Sequence, residues 1–180
     1  NLGKVRLRVS ARGTDPEAVQ EDLDRYVGEL RDQLADILFG ESDGEALEAT
    51  LAKLFTARGA TLATAESCTG GAIAAQLTAV PGASNFFLGS VVSYATGVKK
   101  DVLGVDPGLI EAHSVVSPEV AGAMAEGARK LLGADIAVAT TGNAGPAKGE
   151  SDAAVGTVAI AVSGPGGTRA EVFTMGNHRE

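Results

Sequence analysis

Apolar and basic positions alternate strictly through Lys4-Val5-Arg6-Leu7-Arg8-Val9, the period of a strand with one wet and one buried face. Asp15 then precedes Pro16 and Glu17, an N-cap with a first-turn proline and acid. Val19, Leu23, Val27, Leu30, Leu34, Ile37 and Leu38 follow at steps of three and four. This spacing predicts one amphipathic helix over 16–38. A strand and a helix cannot close a core, so partner strands are expected upstream of Asn1. Ser42 with Glu45 reads as a capping box, and Leu47, Leu51, Leu54 and Phe55 stripe a linker helix that Gly59 would stop.

From Thr61 the pattern changes to buried strands alternating with helices. Strands are predicted at Thr61–Ala65, Ser90–Ala95, Asp135–Thr141, Val155–Ser163 and Thr168–Met175. Helices are predicted after Gly70, near Pro107 and over 118–132, the last opened by Ser117-Pro118-Glu119 and closed by Gly133. Gly164-Pro165-Gly166-Gly167 suits a hairpin turn between the last two strands. Together these elements predict an α/β fold: a three-layer α/β/α domain with a mostly parallel sheet over 44–180, preceded by a small truncated α+β module over 1–43.

Composition narrows the chemistry. In 180 residues, 44% are apolar, enough for a sizeable core, and the formal charge of −8 is the wrong sign for a protein that binds by neutralising phosphate backbones. Segment 1–43 also lacks a Gly-x-x-Gly loop, which argues against RNA binding there. The single cysteine, Cys68, cannot form an internal disulfide, no cysteine and histidine cluster has zinc spacing, and a reducing cytoplasm is the expected compartment. No apolar run approaches the ~20 residues of a membrane span, so no membrane partner is expected. A start at Asn1 without methionine reads as a piece of a longer chain.

Three strand-to-loop segments could carry chemistry, because ligands of open parallel sheets gather beyond the strands' carboxyl ends. Glu66-Ser67-Cys68-Thr69-Gly70-Gly71 could present a helix N-terminus to an anion, or be an ordinary capped helix start. Ser93-Tyr94-Ala95-Thr96-Gly97-Val98-Lys99-Lys100 carries two lysines, of which Lys100 reads as a surface charge. Thr140 to Gly149 is glycine-rich without being a Walker A loop. His113 and His178 have no partners at triad spacing, which excludes a histidine-centred hydrolase motif. A serine could instead be activated by Lys99 if its surroundings hold the amine partly neutral, with Tyr94 as a proton relay. Cys68 near a helix start is the competing nucleophile.

Taken together, Thr64-Ala65-Glu66-Ser67-Cys68-Thr69-Gly70-Gly71, Tyr94 with Lys99 five residues on, Leu103-Gly104-Val105, Thr141-Gly142-Asn143-Ala144-Gly145-Pro146 and Gly156-Thr157-Val158 resemble the C-terminal domain of the CinA family over about 44–180. Segment 1–43, with Asp36-Ile37-Leu38-Phe39-Gly40, is similar to the KH-like module that precedes that domain. The resemblance implies a metal- and cofactor-independent amidohydrolase that converts nicotinamide mononucleotide to nicotinate mononucleotide and ammonia. It further implies a serine and lysine pair with a tyrosine, namely Lys99, Tyr94 and a serine. Aligning Gly82-Ala83-Ser84 with the family's Gly-Ser-Ser loop points to Ser84, while topology favours Ser67. Ser84 stands first on the family pattern, with Ser67 as an oxyanion or phosphate contact or as the nucleophile itself. Thr69, Gly70, Thr141, Gly142 and Gly145 are the implied substrate contacts, and Arg179 the implied substrate-binding arginine. The resemblance also implies a homodimer and, in longer relatives, an N-terminal pyrophosphatase-type domain. Departures from the family pattern are Tyr94-Ala95-Thr96 for Tyr-Ser-Asn, Lys148-Gly149 for Gly-Gly, Gly176-Asn177-His178-Arg179 for the closing Gly-Asp-Arg, and no final helix. A binding or regulatory module with decayed catalysis is the alternative that the first departure favours.

Overall fold

The computed structural model describes residues 5–40, 46–146 and 151–175. They fall into two compact units, one within Asn1–Leu47 and one within Glu48–Arg179, a boundary a few residues beyond the one predicted.

In the first unit, α1 (Pro16–Gln33) begins where the sequence signals it: Asp15 accepts the Glu17 N–H at 3.0 Å and Pro16 occupies the first turn. It ends at Gln33 rather than 38, because Leu34 leaves helical geometry and the Ile37 and Leu38 N–H groups turn back onto the Leu34 carbonyl. No residue of α1 is buried, so no packing extends it through the exposed Ile37. The strand expected at Lys4–Val9 is absent from the described part, residues 5–9, where Val5 and Leu7 stand exposed. Alternation makes a strand only where a neighbour satisfies its backbone. The Ser42–Glu45 capping box lies outside the described residues.

The second unit opens with α2 (Leu47–Arg58) and continues as β1 (Leu62–Glu66), α3 (Ala72–Thr78), a 3-10 turn (Ala83–Asn85), β2 (Phe87–Val92), α4 (Thr96–Asp101), α5 (Pro107–His113), α6 (Pro118–Leu132), β3 (Ile136–Gly142), β4 (Thr157–Gly164) and β5 (Gly167–Thr174). The strands form one sheet in the order β2-β1-β3-β4-β5. β1 pairs in parallel with both β2 and β3, whereas β3-β4 and β4-β5 are antiparallel. The sheet is therefore mixed, with the crossover half parallel as predicted and the far half a meander. Gly164 and Gly167 form the last rung of the β4-β5 hairpin, with Pro165 and Gly166 at its tip.

Small residues set the layer spacing. Ala63 and Ala65 of β1, Ala137 and Ala139 of β3, and Ala159 and Ala161 of β4 meet Ala121, Met124, Ala125 and Ala128 of α6, which lets the helix lie close on the sheet. Gly127 of α6 allows a similar approach, since a Cβ there would meet the Leu103 carbonyl oxygen at 2.0 Å. On the other face, Leu77 of α3, Phe86 and Leu62 pack with Leu51 and Phe55 of α2, the two phenyl rings 5.7 Å apart. α6 has the predicted bounds: Ser117 caps the Val120 N–H and Gly133 closes it in the left-handed region. No helix among the described residues is long and apolar enough to cross a membrane.

The amino ends of β1 and β3 are clamped together. Thr61 donates both its N–H and its hydroxyl to Asp135 Oδ2 at 2.8 Å, and the Asp135 N–H returns a bond to Thr61 Oγ1 at 3.0 Å.

 Thr61, one residue ahead of β1, thus makes its side of the clamp with backbone and side chain together. These donors hold the Asp135 carboxyl below its ordinary value. A folded-state value below the unfolded one means that the clamp stabilises above about pH 3.9 and loses its contribution as pH falls through the folded value. Asp135→Asn is expected to lower the melting temperature at neutral pH and to flatten its acid-side decline, as read by thermal denaturation from pH 2 to 7.

Candidate active site

The carboxyl end of β1 runs into the turn Ser67–Gly71, and a buried carboxylate organises it. Glu66, fully buried, accepts the N–H groups of Gly71 (3.0 Å) and Ile73 (3.0 Å) on Oε2 and that of Ala74 (2.8 Å) on Oε1. The Ala72 N–H goes to the Thr69 carbonyl and the Gly70 N–H to the Ser67 carbonyl. The first-turn donors of α3 are therefore spent within the protein, and the anion site expected at this helix start is filled by the chain's own carboxylate. Glu66 was legible as part of the motif but not as its organiser. Its signal was an acidic side chain shortly before a helix that has no side-chain cap at Gly71.

Directly after Glu66, Ser67 meets Lys99. The Lys99 ammonium, 1% exposed, lies 2.9 Å from Ser67 Oγ, 2.6 Å from the Ser93 carbonyl oxygen and 3.4 Å from that of Tyr94. α4 carries the lysine inward, and the end of β2 supplies the two carbonyls. Ser67 is itself 8% exposed, and its N–H continues the β1-β3 ladder by donating to the Thr140 carbonyl at 3.0 Å. Two carbonyls and one hydroxyl suit both forms of the amine. As ammonium it donates to all three; as neutral amine it donates to the carbonyls and turns its lone pair to the Ser67 O–H.

The other expected residues fall differently. Ser84 is exposed in the 3-10 turn ahead of β2, and no hydrogen bond joins it to Lys99 among the described residues. The loop precedes β2, whereas Lys99 follows the strand's far end, so the strand's length separates them. Tyr94 contributes its backbone carbonyl, while the residue is 64% exposed. Thr69 Oγ1 pairs with Thr140 Oγ1 at 2.8 Å beside exposed Gly70. Thr141 is buried and its hydroxyl donates to the Val115 carbonyl at 2.8 Å, so it ties β3 to the α5–α6 connection instead of facing a ligand. Gly142 is a packing glycine: a Cβ there would meet the Thr157 carbonyl at 2.9 Å and Cys68 Sγ at 3.0 Å. Gly145 is buried at φ +70°, its N–H donating to Asn143 Oδ1 at 3.2 Å. The N–H expected to meet substrate is thus engaged within the loop. Asn143 holds that loop through four bonds, including Nδ2 to the Ala153 carbonyl and its own N–H to the Thr157 carbonyl. Arg179, His178 and Lys148 lie outside the described residues.

Cys68 does not have the electrostatics of a helix-start nucleophile. α3 begins only at Ala72, and burial pushes the thiol up, outweighing hydrogen bonds from its own backbone and from Thr140 and the charge of Lys99. A raised thiol leaves little thiolate at neutral pH.

The layers and this site define an α/β protein with a buried serine–lysine contact at the carboxyl end of its central parallel strand. The CinA C-terminal domain model matches residues 44–180, and the chain belongs to that family. It is 47% identical over 178 residues to a CinA-like protein of Flavobacterium psychrophilum, covering 99% of this chain and 43% of the relative. It is 41% identical over 180 residues to a CinA-like protein of Geotalea uraniireducens, covering 100% and 43%. The chain thus spans less than half the length of these curated relatives. Among solved structures, the competence damage-inducible protein A of Klebsiella pneumoniae superposes with a TM-score of 0.69 at 39% identity, over 72% of this chain and 80% of that one. A CinA superfamily protein of Escherichia coli gives 0.71 at 31%, over 79% and 86%.

Proposed function

We propose that this domain is a metal-independent amidohydrolase that deamidates nicotinamide mononucleotide, with Ser67 as nucleophile and Lys99 as its base. The observation that carries the mechanism is the 2.9 Å contact between Lys99 Nζ and Ser67 Oγ in a buried setting. The substrate class comes from the family resemblance, and the dyad supplies a chemistry consistent with it. Neutral Lys99 removes the Ser67 proton as Oγ attacks the carboxamide carbon, and ammonia leaves an acyl-serine that water hydrolyses. Ser67 replaces Ser84 as the first choice of nucleophile because Lys99 reaches it directly.

The test is ammonia release on incubation with nicotinamide mononucleotide. Activity is expected from the parent chain, at least ~100-fold less from Ser67→Ala, and near-parental activity from Ser84→Ala and Cys68→Ser. Loss confined to Ser84→Ala would return the nucleophile to that residue. Absence of ammonia from the parent chain, with the nucleotide still bound, would favour the regulatory-module reading.

A further inference from the structure

β5 is an edge strand: it pairs with β4 on one side, and among the described residues no strand lies on the other. Just past it, the Met175 N–H still bonds inward, to the Gly156 carbonyl ahead of β4. Backbone groups alternate in direction along an antiparallel pair. Arg169, Glu171 and Phe173 therefore bond towards β4, while Thr168, Ala170, Val172 and Thr174 turn their N–H and C=O groups to the open edge. Such a row of donors and acceptors is a template for another strand, which proteins blunt with proline, lysine or a bulge. β5 has none of these: Gly-Thr-Arg-Ala-Glu-Val-Phe-Thr runs in unbroken register with β4 from Gly164↔Gly167 to Thr157↔Thr174.

The side chains of this edge carry a pattern of their own. Thr168, Ala170 and Val172 lie opposite Ser163, Ala161 and Ala159 and share the face that α6 covers. Arg169, Glu171 and Phe173, opposite Val162, Ile160 and Val158, stand on the other face, and all three are exposed. A base and an acid thus flank Ala170 on one face of the edge.

We propose that β5 is the interface with a second copy of this chain, the two strands pairing antiparallel about a two-fold axis at Ala170. Charge selects this register. An axis at Arg169 or at Glu171 would set that residue against its own copy, and an axis at Val172 would leave both without an opposite charge. Centred on Ala170, Arg169 of each copy lies directly across from the partner's Glu171. Ala170 then exchanges backbone bonds with its counterpart, and Thr168 with the partner's Val172. The two ion pairs consequently fall on non-hydrogen-bonded rungs, where side chains approach most closely. Phe173 falls opposite the partner's Gly167, and packing an aromatic ring across an edge glycine is a known means of fixing register. A contact of this kind is isologous, so it closes at two copies and continues one sheet into the next. A strand of a different protein would gain nothing from a charge pattern that complements itself. The proposal stands apart from the amidase reading, because none of these residues belongs to the serine–lysine site.

The test is analytical ultracentrifugation of the 180-residue chain, of Arg169→Glu and of Glu171→Arg. The parent is expected to sediment at twice the 18.1 kDa of one chain. Each single variant sets like charges across from each other twice and is expected to raise the dimer dissociation constant at least ~10-fold with an unchanged circular dichroism spectrum. An equimolar mixture of the two variants should dimerise again, since every acidic position then faces a basic one. The double variant R169E/E171R should dimerise by itself for the same reason. A monomeric parent, a dimer that the single variants leave intact, a folded pair of single variants whose mixture stays monomeric, or a monomeric double variant would each overturn the interface.

Discussion

Lys99→Met is expected to lower kcat/KM for ammonia release from nicotinamide mononucleotide by at least ~100-fold, the scale of an essential proton-transfer group. Methionine keeps the length and apolar stem of lysine while removing the amine that meets Ser67 Oγ and the Ser93 and Tyr94 carbonyls. The fold should survive, because the lysine stem is packed in the interior and its replacement is apolar. Circular dichroism of the variant checks the fold, and coupled ammonia detection checks the rate. Turnover near the parental value in a folded variant would end the serine–lysine mechanism, whichever serine is the nucleophile.

Glu66→Ala carries the second large effect, and it falls on stability as well as rate. The carboxylate satisfies the N–H groups of Gly71, Ile73 and Ala74 at once. Hydrogen bonds to a charged acceptor contribute about 1.5–3 kcal/mol each, so the substitution should cost on the order of 3–5 kcal/mol once water enters and the turn relaxes. That is a large part of the ~5–15 kcal/mol that holds a domain together. Both carboxylate oxygens accept, so Glu66→Gln should recover only part of the loss: an amide NH2 would face an N–H donor at one of them. Urea denaturation measures the first effect. Because Ser67 is the next residue, ammonia release by whatever fraction remains folded should fall as well. Parental stability in Glu66→Ala would show that the turn is held by something other than this carboxylate.

The sequence alone determined the elements whose signals are local. Asp15-Pro16-Glu17 and Ser117-Pro118-Glu119 begin helices, Gly133 stops one, and alternating apolar runs mark the strands, because caps, proline and glycine act through the backbone within a few residues. It also made Lys99 a candidate, through its place where a strand runs into a helix. Only the tertiary structure decided which serine Lys99 meets. That choice depends on the side-by-side register of β1 and β2, which brings together Ser67, Ser93 and a lysine 32 positions away from Ser67 in the chain. The same holds for Thr141 and Gly145, whose polar groups are taken by Val115 and Asn143, and for Glu66, whose value lies in where three N–H groups point. The alternation at Val5–Val9 failed for the complementary reason: its pattern is local, but a strand exists only when a second backbone pairs with it.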